Sequence, residues 1–270
     1  KAAPIPPGAR HICYCHSPPR YLWDMEDFYL GQLTGPARMF RPAARLLFKH
    51  LRAFDQAAAQ TVDAFAVNSR HVADRVRRHY HREPAAIIHP PVDVLKFRCD
   101  LPRQDFFLVV AELTAYKRVD LAVTACNRLK LPLIVIGSGP EENRLRAMAG
   151  PTVRFLGFRD DDDVRDHMAR CRAFLFPGEE DFGIAPVEAQ AAGAPVIALR
   201  RGGATETVTD GRTGLFFDNP ESASLEAALR QFLEIPPEQF PPSQIRRHAM
   251  QFDQPVFQKK FRGFVEEYLK

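Results

Sequence analysis

From residue 104 onward, apolar and polar positions follow a repeating order: a short β-rich apolar run, a turn built on glycine, proline or an acid, then a segment with helical period. The runs 106–110, 133–136, 153–156, 173–176, 196–199 and 215–217 read as strands. Between or after them, 119–129, 141–149, 163–170, 184–192, 206–208 and 224–233 read as helices. Strict alternation of this kind predicts right-handed βαβ crossovers and a mostly parallel sheet with helices on both faces. The fold class is therefore α/β, and this half is expected to form a Rossmann-like domain.

The first 103 residues are less regular. Three strand candidates, 11–15, 65–68 and 86–89, flank a long helical region at 42–61 and a second helix from Ser69 to about Tyr80, which is only part of a doubly wound sheet. The polar stretch 98–103 with Pro102 reads as a linker, and the proline-rich stretch 235–243 precedes a terminal amphipathic helix at 255–269. The expected domains are thus 1–103, 104–250 and 251–270, the last returning to the first domain. The longest apolar runs, such as 106–110, fall far short of the roughly 20 residues a membrane span needs, and residues 1–10 carry no apolar core of a signal peptide.

Composition sharpens this picture at two points. Residues 1–103 hold 16 Lys and Arg against 9 Asp and Glu, a net of +7, whereas the whole 270-residue chain is +4. The basic character belongs to the first part, and it predicts an anionic partner, whether nucleic acid, a phosphorylated substrate or an acidic membrane face. Nucleic acid is set aside, because the arginines are not interleaved with aromatics as stacking platforms require. Five cysteines without CxxC spacing argue against a disulfide framework or a zinc site and predict a reducing, cytoplasmic compartment.

Open α/β sheets bind ligands at the carboxyl ends of their strands. After 173–176 comes Pro177-Gly178-Glu179-Glu180-Asp181-Phe182-Gly183, then a helix whose first-turn amides form an anion site suited to phosphate. Glu180 and Glu188, eight positions apart, are predicted to address one elongated ligand. The helix dipole alone accounts for acids at 180 and 181, but not for Glu188.

The run from Glu180 to Glu188, continuing through Ala198, closely resembles the E-x7-E signature of glycosyltransferase family four. The segments 116–122, 136–141, 153–157 and 202–208 resemble the same family in the same order, as do 66–69 and 90–93, and 14–24 resembles its bacterial mannosyltransferase branch. The resemblance implies a retaining enzyme of GT-B type, with two Rossmann-like domains facing a cleft, the first of them incomplete because the family's N-terminal strands have no counterpart before residue 1. It implies a nucleotide-sugar donor, with GDP-mannose expected, no metal, and a glycan or polyprenyl-diphosphate-linked acceptor in bacterial surface polysaccharide synthesis. A place at the inner face of the cytoplasmic membrane goes with such an acceptor.

Carried over residue by residue, the resemblance assigns the ribose hydroxyls to Glu188 and the donor hexose to Glu180. The amides of Phe182, Gly183 and Ile184 receive the diphosphate, Lys117 supplies a positive charge to it, and the stretch from Phe155 through Gly157 and Phe158 to Arg159 lines the base. His16, just past a strand end in the first domain, is assigned to the sugar from across the cleft. One departure stands out: Glu112 occupies a position where many family members have a diphosphate-gripping arginine, so Arg118 is expected to compensate or Glu112 to turn away.

Other readings carry less. Gly137-Ser138-Gly139 stops short of a dinucleotide fingerprint, and the acids at 160–163 fit helix capping better than a metal site. The contrasting function is a nucleotide-sugar-binding module that is inactive without a further N-terminal segment or a partner chain.

Overall fold

The computed structural model describes residues 5–31 and 33–269, and its chain divides into two compact units, residues 1–89 with 258–270 and residues 90–257. In chain order the first unit contains β1 (Ile12–Cys15), α1 (Arg20–Trp23), α2 (Glu26–Gly31), α3 (Arg41–Gln60), β2 (Ala64–Val67), α4 (Arg70–Tyr80) and β3 (Ala86–Ile87). Its sheet is parallel in the order β1-β2-β3. β2 is buried throughout, and Phe65 and Val67 pack with Val72, Val76 and Tyr80 of α4 and with Cys15. Cys13 and Cys15 share the strand face that meets this core, as residues two apart must. Ser69 caps α4 by accepting the Val72 amide at 3.0 Å.

The second unit runs β4 (Phe107–Val110), α5 (Val119–Leu129), β5 (Leu133–Ile136), α6 (Glu142–Met148), β6 (Val153–Gly157), α7 (Asp161–Arg170), β7 (Ala173–Phe176), α8 (Ile184–Ala191), β8 (Val196–Leu199), α9 (Ala204–Thr207), β9 (Gly214–Phe217), α10 (Ser222–Glu234) and α11 (Pro242–Ala249). The six-stranded sheet is parallel throughout, in the order β6-β5-β4-β7-β8-β9. Alternation along each strand feeds two cores. Phe107 and Val109 of β4 face α5 and α10, whereas Leu108 joins Phe174, Phe176 and Val187 on the side of α7 and α8. Strand order reverses between β4 and β7: the chain leaves β4 toward β5 and β6, then returns to place β7 on its other side. The helices that follow these two central strands therefore lie on opposite faces, which opens a crevice at their carboxyl ends.

The observed division falls at 89/90, earlier than the expected 103/104. The reason lies in the stretch after Pro90: the Val92 amide donates to the Phe252 carbonyl at 2.9 Å and the Val94 amide to Asp253 Oδ1 at 3.2 Å. Val92, Val94 and Phe97 are buried in the second unit's core, and Arg103 donates to the carbonyls of Cys171 and Gly193. The last helix, α12 (Gln254–Tyr268), begins in the second unit and ends in the first, where Phe261 meets Tyr14 edge-on at 5.8 Å. The proline-rich stretch 235–243 leads into α11, where Ile245 and Ala249, four apart, bury one face. No helix among the described residues is long and apolar enough to cross a membrane.

Candidate functional site

The loops after β4 and β7 meet at the point where strand order reverses. Lys117 ends a single 3-10 turn (Ala115–Lys117) after β4, and Glu180 lies in the acidic loop after β7. The Lys117 Nζ stands 2.5 Å from Glu180 Oε1, with each side chain about one-fifth exposed. The ammonium also lies over the Tyr116 ring, 5.3 Å from its centroid.

Backbone packing brings the pair together. A Cβ on Gly178 would come within 2.9 Å of the Lys117 Cα and carbonyl oxygen and of the Tyr116 carbonyl oxygen, so only glycine lets the two loops touch. On the other side of the acidic loop, the Gly203 amide donates to the Glu180 carbonyl at 2.9 Å. A Cβ on Gly203 would sit 2.2 Å from the Phe182 Cα, which is why the 202–203 turn can press against residues 180–182. Phe182 itself is core: it is buried, with its ring edge-on to Phe252 at 5.7 Å. Gly183 follows in a left-handed conformation (φ 82°) and starts α8, leaving the amides of the first turn without helical partners.

Glu188 occupies the second turn of α8 and is half-buried. Burial pushes its carboxyl above the usual carboxylate range and nearby Asp161 adds to the shift, while Arg165 on α7 opposes it. No hydrogen bond to this carboxylate is present among the described residues, so desolvation is only partly offset in the free protein. The site thus combines a cation against a carboxylate, open helix amides and a second, partly desolvated carboxylate one turn into the helix. Such a set can accept hydrogen bonds from a diol, neutralise a diphosphate and stabilise charge growing on it.

A cavity of about 320 Å³ opens at the carboxyl ends of β4, β5 and β6, lined by Ala111, Glu112, Gly137, Ser138, Phe158, Arg159 and Val164. Phe158 is 79% exposed there. Phe155 does not join it, which corrects the expectation that the whole stretch lines one surface: β6 alternation turns its ring toward the α5 core, beneath the Arg146 guanidinium at 5.0 Å. Gly157, at φ 70°, accepts the Gly137 amide at 2.8 Å and thereby fixes the cavity's rim. Glu112 is exposed, and Arg118 is engaged with Asp120 of its own helix at 3.1 Å. Asp160 caps α7 by accepting the Asp163 amide at 2.9 Å. A second cavity of about 320 Å³ lies at the opposite, amino ends of the strands, beside Phe232, Ile235 and Phe240. It is remote from the exposed helix amides.

His16 is exposed just beyond β1 in the first unit, its ring edge-on to Tyr14 at 4.9 Å and its carbonyl accepting from Asn68 Nδ2 at 2.9 Å. The sequence pattern gave no role to Tyr116, Gly178 or Arg165, and gave Asp161 only that of an acid at the start of a helix. For Gly178 the signal was present as a glycine after a strand, but its partner loop was not visible; the turn at 202–203 was noted as a motif without a role.

A family model described as glycosyl transferases group 1 matches residues 97–250. The chain is 28% identical over 229 residues to a D-inositol 3-phosphate glycosyltransferase of Streptomyces avermitilis, covering 72% of this chain and 48% of that one. It is 36% identical over 129 residues to a GDP-mannose-dependent monoacylated alpha-(1-6)-phosphatidylinositol monomannoside mannosyltransferase of Corynebacterium glutamicum, covering 44% and 32%. The chain spans about half the length or less of these curated relatives. Among solved structures, sucrose-phosphate synthase from Thermosynechococcus elongatus superposes with a TM-score of 0.71 at 19% identity, covering 89% of this chain and 65% of that one. HepE from Anabaena in complex with UDP gives 0.69 at 19% identity, covering 78% and 68%. At these identities the structures establish the fold, α/β with parallel sheets of the GT-B type.

Proposed function

The chain belongs to the glycosyl transferases group 1 family, and from that premise we propose that it carries the donor half of a retaining hexosyltransferase that takes mannose from GDP-mannose. The observation that carries this reading is the Lys117–Glu180 pair at the strand-order reversal, beside the open amides of α8. In this reading Glu188 accepts from the ribose hydroxyls and the amides of Phe182, Gly183 and Ile184 hold the diphosphate. Lys117 leaves Glu180 for the diphosphate as the donor enters, and Glu180 turns to the hexose hydroxyls. The Phe158 side of the cavity takes the base.

The acceptor hydroxyl attacks the sugar's anomeric carbon from the face that the diphosphate leaves. The new C–O bond forms as the old one breaks, and the hydroxyl proton passes to a departing phosphate oxygen. The protein supplies orientation and charge stabilisation, and one such donor to the growing charge contributes about 3 kcal/mol. These groups complete the assignment with no metal among them. We assign His16 to the transfer step as well: His16→Ala should lower transfer and leave GDP binding unchanged. A lipid-linked or glycan acceptor fits the name of the Corynebacterium relative, whose own acceptor is a phosphatidylinositol mannoside.

Calorimetry against GDP and UDP, followed by product analysis with GDP-mannose and lipid-linked acceptors, tests the proposal. GDP binding with transfer supports it. GDP binding without transfer under every acceptor favours the contrasting reading of a binding module that needs further chain, and absence of nucleotide binding overturns both.

A further inference from the structure

The turn that carries His16 has little backbone of its own to hold it. β1 ends at Cys15, α1 starts at Arg20, and between them Pro18 and Pro19 have no amide hydrogen to donate. Its polar groups are met instead from β2 and the helix that follows. Asn68, just past β2, donates from Nδ2 to the His16 carbonyl at 2.9 Å. Arg75 of α4 donates from Nη1 to Ser17 Oγ at 2.5 Å and from Nη2 to the Pro18 carbonyl at 3.1 Å, and the Ser17 hydroxyl donates to that same carbonyl at 2.8 Å.

Arg75 is 3% exposed, and a guanidinium taken out of water needs both a counter-charge and hydrogen bonds to offset the loss. Asp24, directly after α1, supplies the charge through an ion pair between its Oδ2 and Arg75 Nη2. Its other oxygen, Oδ1, accepts from His79 Nε2 at 3.1 Å, and His79 lies four positions after Arg75 on the same face of α4. An ion pair kept for stability alone would end at Asp24. Here the planar fork goes further and reaches the turn with two N–H groups, a geometry that the single ammonium of a lysine cannot copy. The imidazole that the turn presents meets a fixed neighbour. Tyr14, whose ring it faces edge-on at 4.9 Å, is tied by its hydroxyl to the Ile88 carbonyl at 2.7 Å and lies edge-on to Phe261 at 5.8 Å.

We propose that Arg75 is a positioning residue: its guanidinium fixes the turn at 16–19 and thereby the place of the His16 imidazole. The part that His16 plays in transfer rests on the proposed function, but its place beside Tyr14 can be read without any sugar transfer.

Proton NMR of the chain labelled with carbon-13 histidine, at about pH 8 where an ordinary imidazole is neutral, reads that place through the ring current of Tyr14. The His16 signal is the one missing from His16→Ala. Arg75→Lys keeps a cation beside Asp24, and Ser17→Ala leaves the Arg75–Asp24 ion pair whole, so the second variant folds even where the first does not. Both should move the His16 signal toward the position of free histidine. Val76→Ala, at a buried position next to Arg75, loosens the same helix without touching the turn and should leave the signal in place. With GDP-mannose and a lipid-linked acceptor, Arg75→Lys should lower kcat about tenfold or more, the scale of a misplaced group, while GDP affinity stays within about twofold. An unmoved His16 signal in both turn variants overturns the proposal, as does an equal displacement in Val76→Ala, because the effect is then general loosening. So does an Arg75→Lys chain that transfers like wild type when His16→Ala does not. Unchanged transfer in His16→Ala overturns the assignment of His16 in the proposed function, whereas the hold of Arg75 on the turn is still decided by the NMR signal.

Discussion

Lys117 Nζ and Glu180 Oε1 meet at 2.5 Å across two loops that follow adjacent, central, parallel strands. Each side chain is only about one-fifth exposed, and α5 and α8 diverge from the pair to opposite faces of the sheet. In the proposed function this contact gives way to one between the lysine and the donor's diphosphate.

Exchange of partners at Lys117 sets a pattern for nucleotide affinity. Lys117→Met should weaken GDP about tenfold or more, the range of a lost hydrogen bond to a charged group. Glu180→Ala should leave GDP within about twofold of wild type or tighten it, since the lysine no longer has an internal competitor. Glu188→Ala should weaken GDP more than Glu180→Ala does, because a ribose contact operates without the hexose. Isothermal calorimetry decides the order, and equal losses at 180 and 188 contradict the assignment.

Burial raises the Glu188 carboxyl above its ordinary range, with Asp161 adding to the shift. An acid whose folded value is raised holds its proton more readily in the folded state, so its contribution to stability is fully present below the unfolded value and is lost as pH rises through the folded one. Glu188→Gln should therefore melt higher than wild type at neutral pH, with the gap closing as pH falls toward about 4.5. Guanosine binding should show the opposite dependence, weakening as pH falls toward that range in wild type but not in the Gln variant. Thermal melts and fluorescence titrations across pH check both.

Gly203 has an ordinary φ of −65°, so replacing it tests close approach without backbone strain. Gly203→Ala should push the 180–182 loop away and cost about 1–3 kcal/mol of stability, the usual penalty for overpacking, together with most GDP affinity. Gly211→Ala, where nothing lies within 4 Å but φ is 70°, should affect stability alone. Comparing denaturant midpoints with calorimetry separates the two.

Trp23, the chain's single tryptophan, stacks on the His79 imidazole at 4.7 Å. Burial depresses the His79 pKa, outweighing Asp24, which accepts from its Nε2 at 3.1 Å. Burial opposes ionisation of Asp24 too, but the Arg75 guanidinium, followed by His79, holds its carboxyl below the usual range. For His79 the stability is present above about pH 6.5 and is lost as pH falls through the depressed value; for Asp24 it is present above about 3.8 and is lost below that. Both make the first unit acid-labile. Trp23 emission should be quenched as pH falls below 6.5, ahead of unfolding, and His79→Phe should remove the early phase.

Hydrophobic period alone was enough to place the six strands of the second sheet, its parallel sense and the helices between them, because burial on both faces of a βαβ sheet imposes apolar runs separated by amphipathic helices. The acidic loop and the glycine that starts α8 could also be read directly, since helix amides and capping are local. Other features depend on which segments become neighbours. The strand order that sets β7 beside β4, and with it the Lys117–Glu180 contact, follows from crossovers on opposite faces. The stretch after Pro90 joins the second unit through hydrogen bonds to Phe252 and Asp253, far along the chain. Phe155 turns from the cavity because strand alternation, once β6 is fixed, gives its ring to the α5 core. Local rules govern the elements, and packing between distant segments decides which of their side chains face a ligand.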